Sequence, residues 1–221
     1  MTVATILVTG CNRGIGLELC RQFHARGDDV IGVCRQTSDE LEAIGIRVID
    51  GGDVSTDAGI RRIKQALGNQ PIDVLLNNAG ILRRDNLQSL DFDDIGEQFC
   101  FNSLGPLRVT HGLLDNLRKG SKVAIVTSRM GSIADNSSGR SYGYRMSKAA
   151  VNMAGMTLSR DLESRGIPVA LLHPGFVATN MTGGQGIEPG SAASGLIQRI
   201  DELDMDNSGV FWHAEGYVLP W

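Results

Sequence analysis

The sequence lacks several things whose absence narrows its function. No apolar run is long enough to cross a bilayer as a helix, because charges or glycines interrupt every stretch. There is no basic stripe: 21 Lys and Arg are scattered among 25 Asp and Glu, for a net charge of −4, which argues against a nucleic-acid surface. No basic segment precedes the strand-like Val3-Ala4-Thr5-Ile6-Leu7-Val8, and no small-residue cleavage site follows it, so a signal peptide is not expected. The four cysteines, Cys11, Cys20, Cys34 and Cys100, form no CxxC pair. Neither a metal site nor a redox dithiol is indicated, and the thiols read as small apolar residues in a reducing, cytoplasmic setting. Repeats, linkers and low-complexity blocks are also missing.

What is present suits one domain. The chain has 221 residues, 42% of them apolar, enough to bury a large core without disulfides or metals, so a single domain over 1–221 is expected. Short apolar runs alternate with segments of helical period. Strands are predicted at Thr5–Val8, Asp29–Cys34, Arg47–Ile49, Val74–Leu76, Lys122–Thr127, Pro168–Leu172 and Val210–Trp212. Helices are predicted at Ile15–Ala25, at Thr56–Leu67 with a cap at Ser55 or Thr56, and at Phe92–Ser103. A further helix is entered at Pro106 and ends near Gly120, and the longest covers Arg145–Ser164 and stops at Gly166. This alternation predicts an α/β fold of the Rossmann type, doubly wound, with a mostly parallel seven-stranded sheet and helices on both faces. Gly175 to Gly190, with five glycines, reads as a loop or lid.

The first strand runs into Thr9-Gly10-Cys11-Asn12-Arg13-Gly14-Ile15-Gly16 and then directly into a helix. Glycines let a phosphate approach the backbone, and a helix N-terminus offers free N–H groups and a positive dipole end. The spacing is G-x-x-x-G-x-G rather than GxGxxG, so the evidence is its position between the first strand and first helix. The second strand ends in Arg35 with no acid beside it. In dinucleotide folds an acid there binds the ribose 2′-hydroxyl and an arginine accommodates a 2′-phosphate, which points to NADP(H). Arg13 is a second candidate for the same phosphate; the plain alternative is that both are ordinary surface arginines. Asp53, followed by Val54, either accepts from an adenine amino group or caps the next helix.

Tyr144 and Lys148 are four residues apart and share a helix face. A phenol is a poor base at neutral pH, and a nearby cation lowers its pKa. Tyr142 is out of phase with Lys148, so Tyr144 is the candidate acid/base. Ser128 ends the fifth predicted strand, at the edge where such sheets bind ligands, and can hold a substrate oxygen. Ser132 is a less well placed alternative.

Together these residues resemble the short-chain dehydrogenase/reductase family in its compact single-domain form. The resemblance is carried by Thr9-Gly10-x-x-x-Gly14-x-Gly16, Asn77-Asn78-Ala79-Gly80, Asn102, Ser128, Tyr144-x-x-x-Lys148 and His173-Pro174-Gly175, in family order. It implies a tetrad of Asn102, Ser128, Tyr144 and Lys148, with Tyr144 exchanging a proton with the substrate oxygen. Lys148 lowers the tyrosine pKa and binds ribose hydroxyls, and Asn102 helps hold a water. It also places Asn78, Ala79 and Gly80 on the adenosine side, and Pro174, Gly175, Val177 and Thr179 at the nicotinamide carboxamide. Plainer readings stand beside these: turn residues at Asn77 and Asn78, caps at Asn102 and Thr179, and packing for His173. The first turn and the ending Gly216-Tyr217-Val218-Leu219-Pro220-Trp221 are similar to carbonyl-reductase-like and C-factor-like members, which generally prefer NADPH. The resemblance implies a small carbonyl or alcohol substrate and a homodimer or homotetramer, and leaves a nucleotide-binding signalling protein as the second reading. Ile81, Arg83, Met130, Ile133 and Met181 are candidates for the pocket lining.

Overall fold

Seven strands form one parallel sheet in the order β3-β2-β1-β4-β5-β6-β7 in the computed structural model, which describes residues 3–221. The first two residues of the expected domain lie outside the described residues. The strands are β1 (Thr5–Thr9), β2 (Asp29–Val33), β3 (Arg47–Ile49), β4 (Ile72–Asn77), β5 (Leu117–Val126), β6 (Val169–His173) and β7 (Phe211–His213). The helices are α1 (Gly14–Ala25), α2 (Asp39–Glu42), α3 (Asp57–Leu67), α4 (Phe92–Phe99), α5 (Gly105–Gly112), α6 (Tyr142–Asp161) and α7 (Pro189–Glu202).

The continuous apolar strands follow from coverage on both faces. Successive residues of β1 enter different cores. Ile6 and Val8 pack with Phe23 of α1 and with Leu196 and Ile200 of α7. Leu7 packs with Ile63 of α3, Val109 of α5 and Val151 of α6. Burying each such side chain contributes roughly 1.5–3 kcal/mol, which locks the strand register. The chain reverses its direction of travel across the sheet between β1 and β4, so a crevice opens at their carboxyl ends.

Several elements differ from the sequence reading. The helix expected to reach Gly120 ends at Gly112, and β5 begins at Leu117. Leu117 is paired with Ile72, and the Ser121 hydroxyl donates to the Ile72 carbonyl at 2.6 Å, so sheet pairing wins over helical period. The helices expected on either side of Pro106 are one continuous run, joined by a π-helical segment, Cys100–Leu104. Pro106 has no N–H to give to the carbonyl of Asn102, four residues back, and the helix widens there. Finally, α7 was not anticipated. Gly190, Ser191, Ser194 and Gly195 disguise it, although Pro189 opens it and Ala192, Ala193, Leu196 and Ile200 form a buried stripe.

Candidate active site

At the carboxyl end of β1 the chain turns through Gly10 and Gly14, with φ of +67° and +56°, where glycine is favoured. A Cβ at Gly10 would come within 2.7 Å of the Ala79 Cα, and one at Gly16 would overlap the Gly10 carbonyl oxygen. The corner is thus packed against the end of β4 while leaving the first N–H groups of α1, around Ile15, without helical partners. Asn78 fastens that junction: its side-chain amide donates to the carbonyls of Thr9 (3.0 Å) and Gly10 (3.1 Å). The Thr9 hydroxyl accepts from the backbone N–H of Asn78 and Ala79. Asn77 is buried and donates to the Thr110 hydroxyl at 3.2 Å.

Asn12 ties the corner to the segment after β2. Its amide donates to the Gln36 carbonyl at 3.0 Å, and the Ser38 hydroxyl donates to the Asn12 carbonyl at 2.8 Å. Arg13 and Arg35 are exposed, and among the described residues neither forms an ion pair. The Arg35 guanidinium lies 4.9 Å from the centre of the Phe101 ring. Two uncompensated guanidiniums beside a glycine corner fit a dinucleotide bearing an extra phosphate. Beneath them Cys11, Cys20 and Cys34 are free and buried. Mutual hydrogen bonding and burial push the Cys11 and Cys34 thiols up, which leaves them unreactive. The Asp53 carboxylate accepts from the backbone (2.9 Å) and hydroxyl (2.6 Å) of Ser55, and Thr56 caps α3, while Val54 is buried against Gly105.

The tetrad candidates meet at the ends of β4 and β5. Tyr144 is 8% exposed, whereas Tyr142 is 39% exposed and its backbone N–H donates to Asp85. Helix α6 begins at Tyr142, earlier than predicted, because the Asp85 carboxylate accepts from the N–H groups of Tyr142 and Gly143. The Lys148 ammonium donates to the Val126 carbonyl at 3.0 Å and lies 5.7 Å from the centre of the Tyr144 ring. The Asn102 side chain clamps the chain after β4: it accepts from the Ile81 N–H (2.8 Å) and donates to the Ile81 carbonyl (2.9 Å) and the Ser147 hydroxyl (3.0 Å). Ser147, not singled out from the sequence, also donates to the Tyr144 carbonyl at 2.8 Å; its place directly before Lys148 was the available signal. A Cβ on Gly80 would sit 3.2 Å from Asn102 Oδ1 and 3.6 Å from Lys148 Nζ, so Gly80 borders both. Ser132 is spent on the loop, donating to the Trp221 carbonyl at 3.0 Å, whereas Ser128 faces Tyr144.

Burial sets the charges. It pushes the Tyr144 phenol up to about 12, partly offset by the Ser128 hydroxyl, and pushes Lys148 down to about 8. Lys148 thus does not by itself bring the phenol down. His173 is pushed down to about 3 by burial and by the neighbouring His213, Arg129 and Lys148, so it is neutral, in keeping with a packing role. Beyond Pro174 and Gly175 the chain folds back on itself: Val177 bridges to Ile187, and the Ala178 N–H donates to the Ile187 carbonyl at 2.9 Å. The Thr179 side chain lies over Gly14, 3.3 Å from where a Cβ there would be, so it faces the corner as well as opening the turn Asn180–Thr182. Among the described residues no cluster of metal-ligating side chains occurs.

Comparison with known proteins identifies the family and the fold. The family model described as short chain dehydrogenase matches residues 4–188. A 1-hydroxy-2-glutathionyl-2-methyl-3-butene dehydrogenase of Rhodococcus sp. (strain AD45) is 42% identical, covering 99% of this chain and 100% of that protein. The C-signal protein of Myxococcus xanthus is 46% identical over 68% of this chain and 93% of its own. The solved structure of an NADPH-bound carbonyl reductase from chicken fatty liver superposes with a TM-score of 0.90 at 27% identity, covering 100% of both chains.

Proposed function

The chain belongs to the short-chain dehydrogenase family, and on that premise we propose that it is an NADP(H)-dependent oxidoreductase acting on a carbonyl or alcohol, with both sites carried by one domain over 1–221. The observation that carries this reading is a linked set of side chains at the sheet edge: Asn102 and Lys148 border Gly80, the Lys148 ammonium lies 5.7 Å from the centre of the Tyr144 ring, and the Ser128 hydroxyl hydrogen-bonds to Tyr144.

In this reading Gly10, Asn12, Gly14, Ile15 and Gly16 hold the pyrophosphate, and Arg13 and Arg35 the 2′-phosphate. Asp53 and Val54 border the adenine, and Asn78, Ala79 and Gly80 the adenosine. Pro174, Gly175, Val177 and Thr179 border the carboxamide. When bound, the nicotinamide exchanges a hydride with the substrate carbon. Tyr144 gives a proton from its hydroxyl to the carbonyl oxygen in reduction and takes it back in oxidation. Ser128 holds that oxygen by a hydrogen bond. Lys148 binds ribose hydroxyls and supplies positive charge to the phenol as it loses its proton. Asn102 and Ser147 keep the chain after β4 and the start of α6 in register around it. With its phenol held up at about 12, the free protein presents Tyr144 as an acid, the form that reduction needs.

Arg35→Ala is expected to weaken NADPH binding about 10- to 100-fold, the loss of a charge-assisted phosphate contact, and to leave NADH binding close to wild type. Dissociation constants from cofactor fluorescence test this; an unchanged preference for NADPH would remove Arg35 from the site. A homodimer or homotetramer, and a cytoplasmic location, are part of the proposal. The first is supported by exposed Leu107 on α5 and Met146 and Met153 on α6, the second by the free thiols. Among the described residues no helix is long and apolar enough to cross a membrane.

A further inference from the structure

We infer that Trp221 is a positioning residue for Ser128: its ring and its carbonyl fasten the loop 129–135, and that loop sets the hydroxyl that holds the substrate oxygen. The inference rests on the dehydrogenase reading above.

After β7 the chain turns at Gly216 and runs back along the strand. The His213 N–H donates to the Tyr217 carbonyl and the Leu219 N–H to the Phe211 carbonyl, both at 2.8 Å. Leu219 is buried with Phe211 and Leu171. The Trp221 ring then stacks on the Phe211 ring, with centres 5.5 Å apart and planes 28° apart. Phe211 is a firm base for it, being buried and paired with Leu171 of β6. An aromatic pair on such a base fixes where the Trp221 backbone lies.

Two donors of the loop 129–135 end on the Trp221 carbonyl: the Ala134 N–H at 2.8 Å and the Ser132 hydroxyl at 3.0 Å. The Ser132 hydroxyl also accepts from the Asp135 N–H at 3.0 Å. Asp135 pairs with Arg129 at 3.0 Å, and the Arg129 guanidinium donates to the Tyr217 hydroxyl at 3.4 Å. The segment Gly216–Trp221 thus grips the loop near both of its ends. On the opposite side the loop rests on α6, where a Cβ at Gly131 would stand 2.8 Å from the Lys148 carbonyl oxygen. Between these grips the Met130 N–H donates to the Ser128 hydroxyl at 3.1 Å, and that hydroxyl hydrogen-bonds to Tyr144. Ser128 stands just past the end of β5, so its placement depends on the loop that follows it. A shift of about 1 Å in a group that orients substrate can cost up to about 10²-fold in rate.

The test uses the full chain and the compound that the wild type reduces fastest among a panel of aldehydes, ketones and quinones headed by 4-nitrobenzaldehyde. Trp221→Ala should lower kcat/KM about 10- to 100-fold, the cost of displacing a positioned hydrogen-bond donor. NADPH affinity should stay near wild type, because the glycine corner is untouched. Trp221→Phe keeps a ring on Phe211 and should recover most of the loss. Ser132→Ala cuts the same connection from the loop side and should resemble Trp221→Ala. The double variant should lose no more than the worse single one, as two cuts in one connection do. The pH profile separates positioning from loss of fold. In alcohol oxidation Tyr144 must give up its proton, and the Ser128 hydrogen bond favours that step. The midpoint of kcat/KM against pH, at saturating NADP, should therefore rise by about 0.5–1 in Trp221→Ala and Ser132→Ala, the equivalent of one neutral hydrogen bond. A smaller folded fraction would lower the plateau and leave the midpoint in place. If Trp221→Ala does not fold, Ser132→Ala decides by the same midpoint. Full activity in the single variants, losses that multiply in the double variant, or an unmoved midpoint overturns the inference and leaves the dehydrogenase reading intact. Wild-type protein that binds NADPH and reduces no compound of the panel overturns both.

Discussion

Tyr144→Phe is expected to lower kcat/KM for carbonyl reduction by about 10²–10⁴-fold, the usual contribution of a positioned proton donor. The substitution removes one oxygen from a ring that is nearly buried and leaves the helix, its Asp85 cap and the Ser147 hydrogen bond to the Tyr144 carbonyl in place. NADPH affinity should therefore change little, because the glycine corner and Arg35 are untouched. The split between turnover and binding is the diagnostic feature: a loss of both together would mean that the phenol is a structural residue. Steady-state kinetics alongside a cofactor titration measures both quantities.

Lys148→Met is expected to abolish most activity and yet to make the free protein more stable. Burial pulls the Lys148 ammonium from 10.5 down to about 8, a difference of roughly 3 kcal/mol between its charged and neutral forms. Between about pH 8 and 10.5 the unfolded chain binds the extra proton, so stability rises with pH across that window. Below pH 8 the lysine is charged in both states, and the folded protein carries the full cost of the buried cation. Methionine removes that cost. Losing the hydrogen bond to the Val126 carbonyl takes back about 1 kcal/mol, for a net gain of ~2 kcal/mol at neutral pH. For a chain of this length that corresponds to a rise in melting temperature of about 4–8 °C. Calorimetry of both proteins at pH 7 and pH 10 tests it. The gain should be largest at the lower pH, and a variant less stable than wild type at pH 7 would show that the ammonium is stabilised by contacts other than its one hydrogen bond.

The parts of this molecule that were legible in its sequence are those whose chemistry is local. The corner around Gly10 to Gly16 announces itself because the turn between strand and helix needs glycine at Gly10 and Gly14 for their positive φ and at Gly16 for its close approach to the Gly10 carbonyl. Tyr144 could be chosen over Tyr142 from helical phase alone, and their burial agrees. The strands were found because coverage on both faces leaves unbroken apolar runs. What escaped depends on contacts far apart in the chain. Residues of α7 look like a loop until α1 is there to receive their small-residue face. The true start of β5 is set by its pairing with Ile72, and the true start of α6 by the Asp85 carboxylate. The charge states of Tyr144 and Lys148 follow from burial, which motif spacing does not report. A nearby cation points to an acidic phenol, whereas in the free protein burial raises it instead.

The most direct test of the whole account is NADPH oxidation by the purified chain over a broad set of aldehydes, ketones and quinones. Consumption of NADPH in step with alcohol or hydroquinone formed is the result this account expects. Tight NADPH binding with no turnover on any compound would contradict it, and would leave the nucleotide-binding signalling protein as the remaining reading.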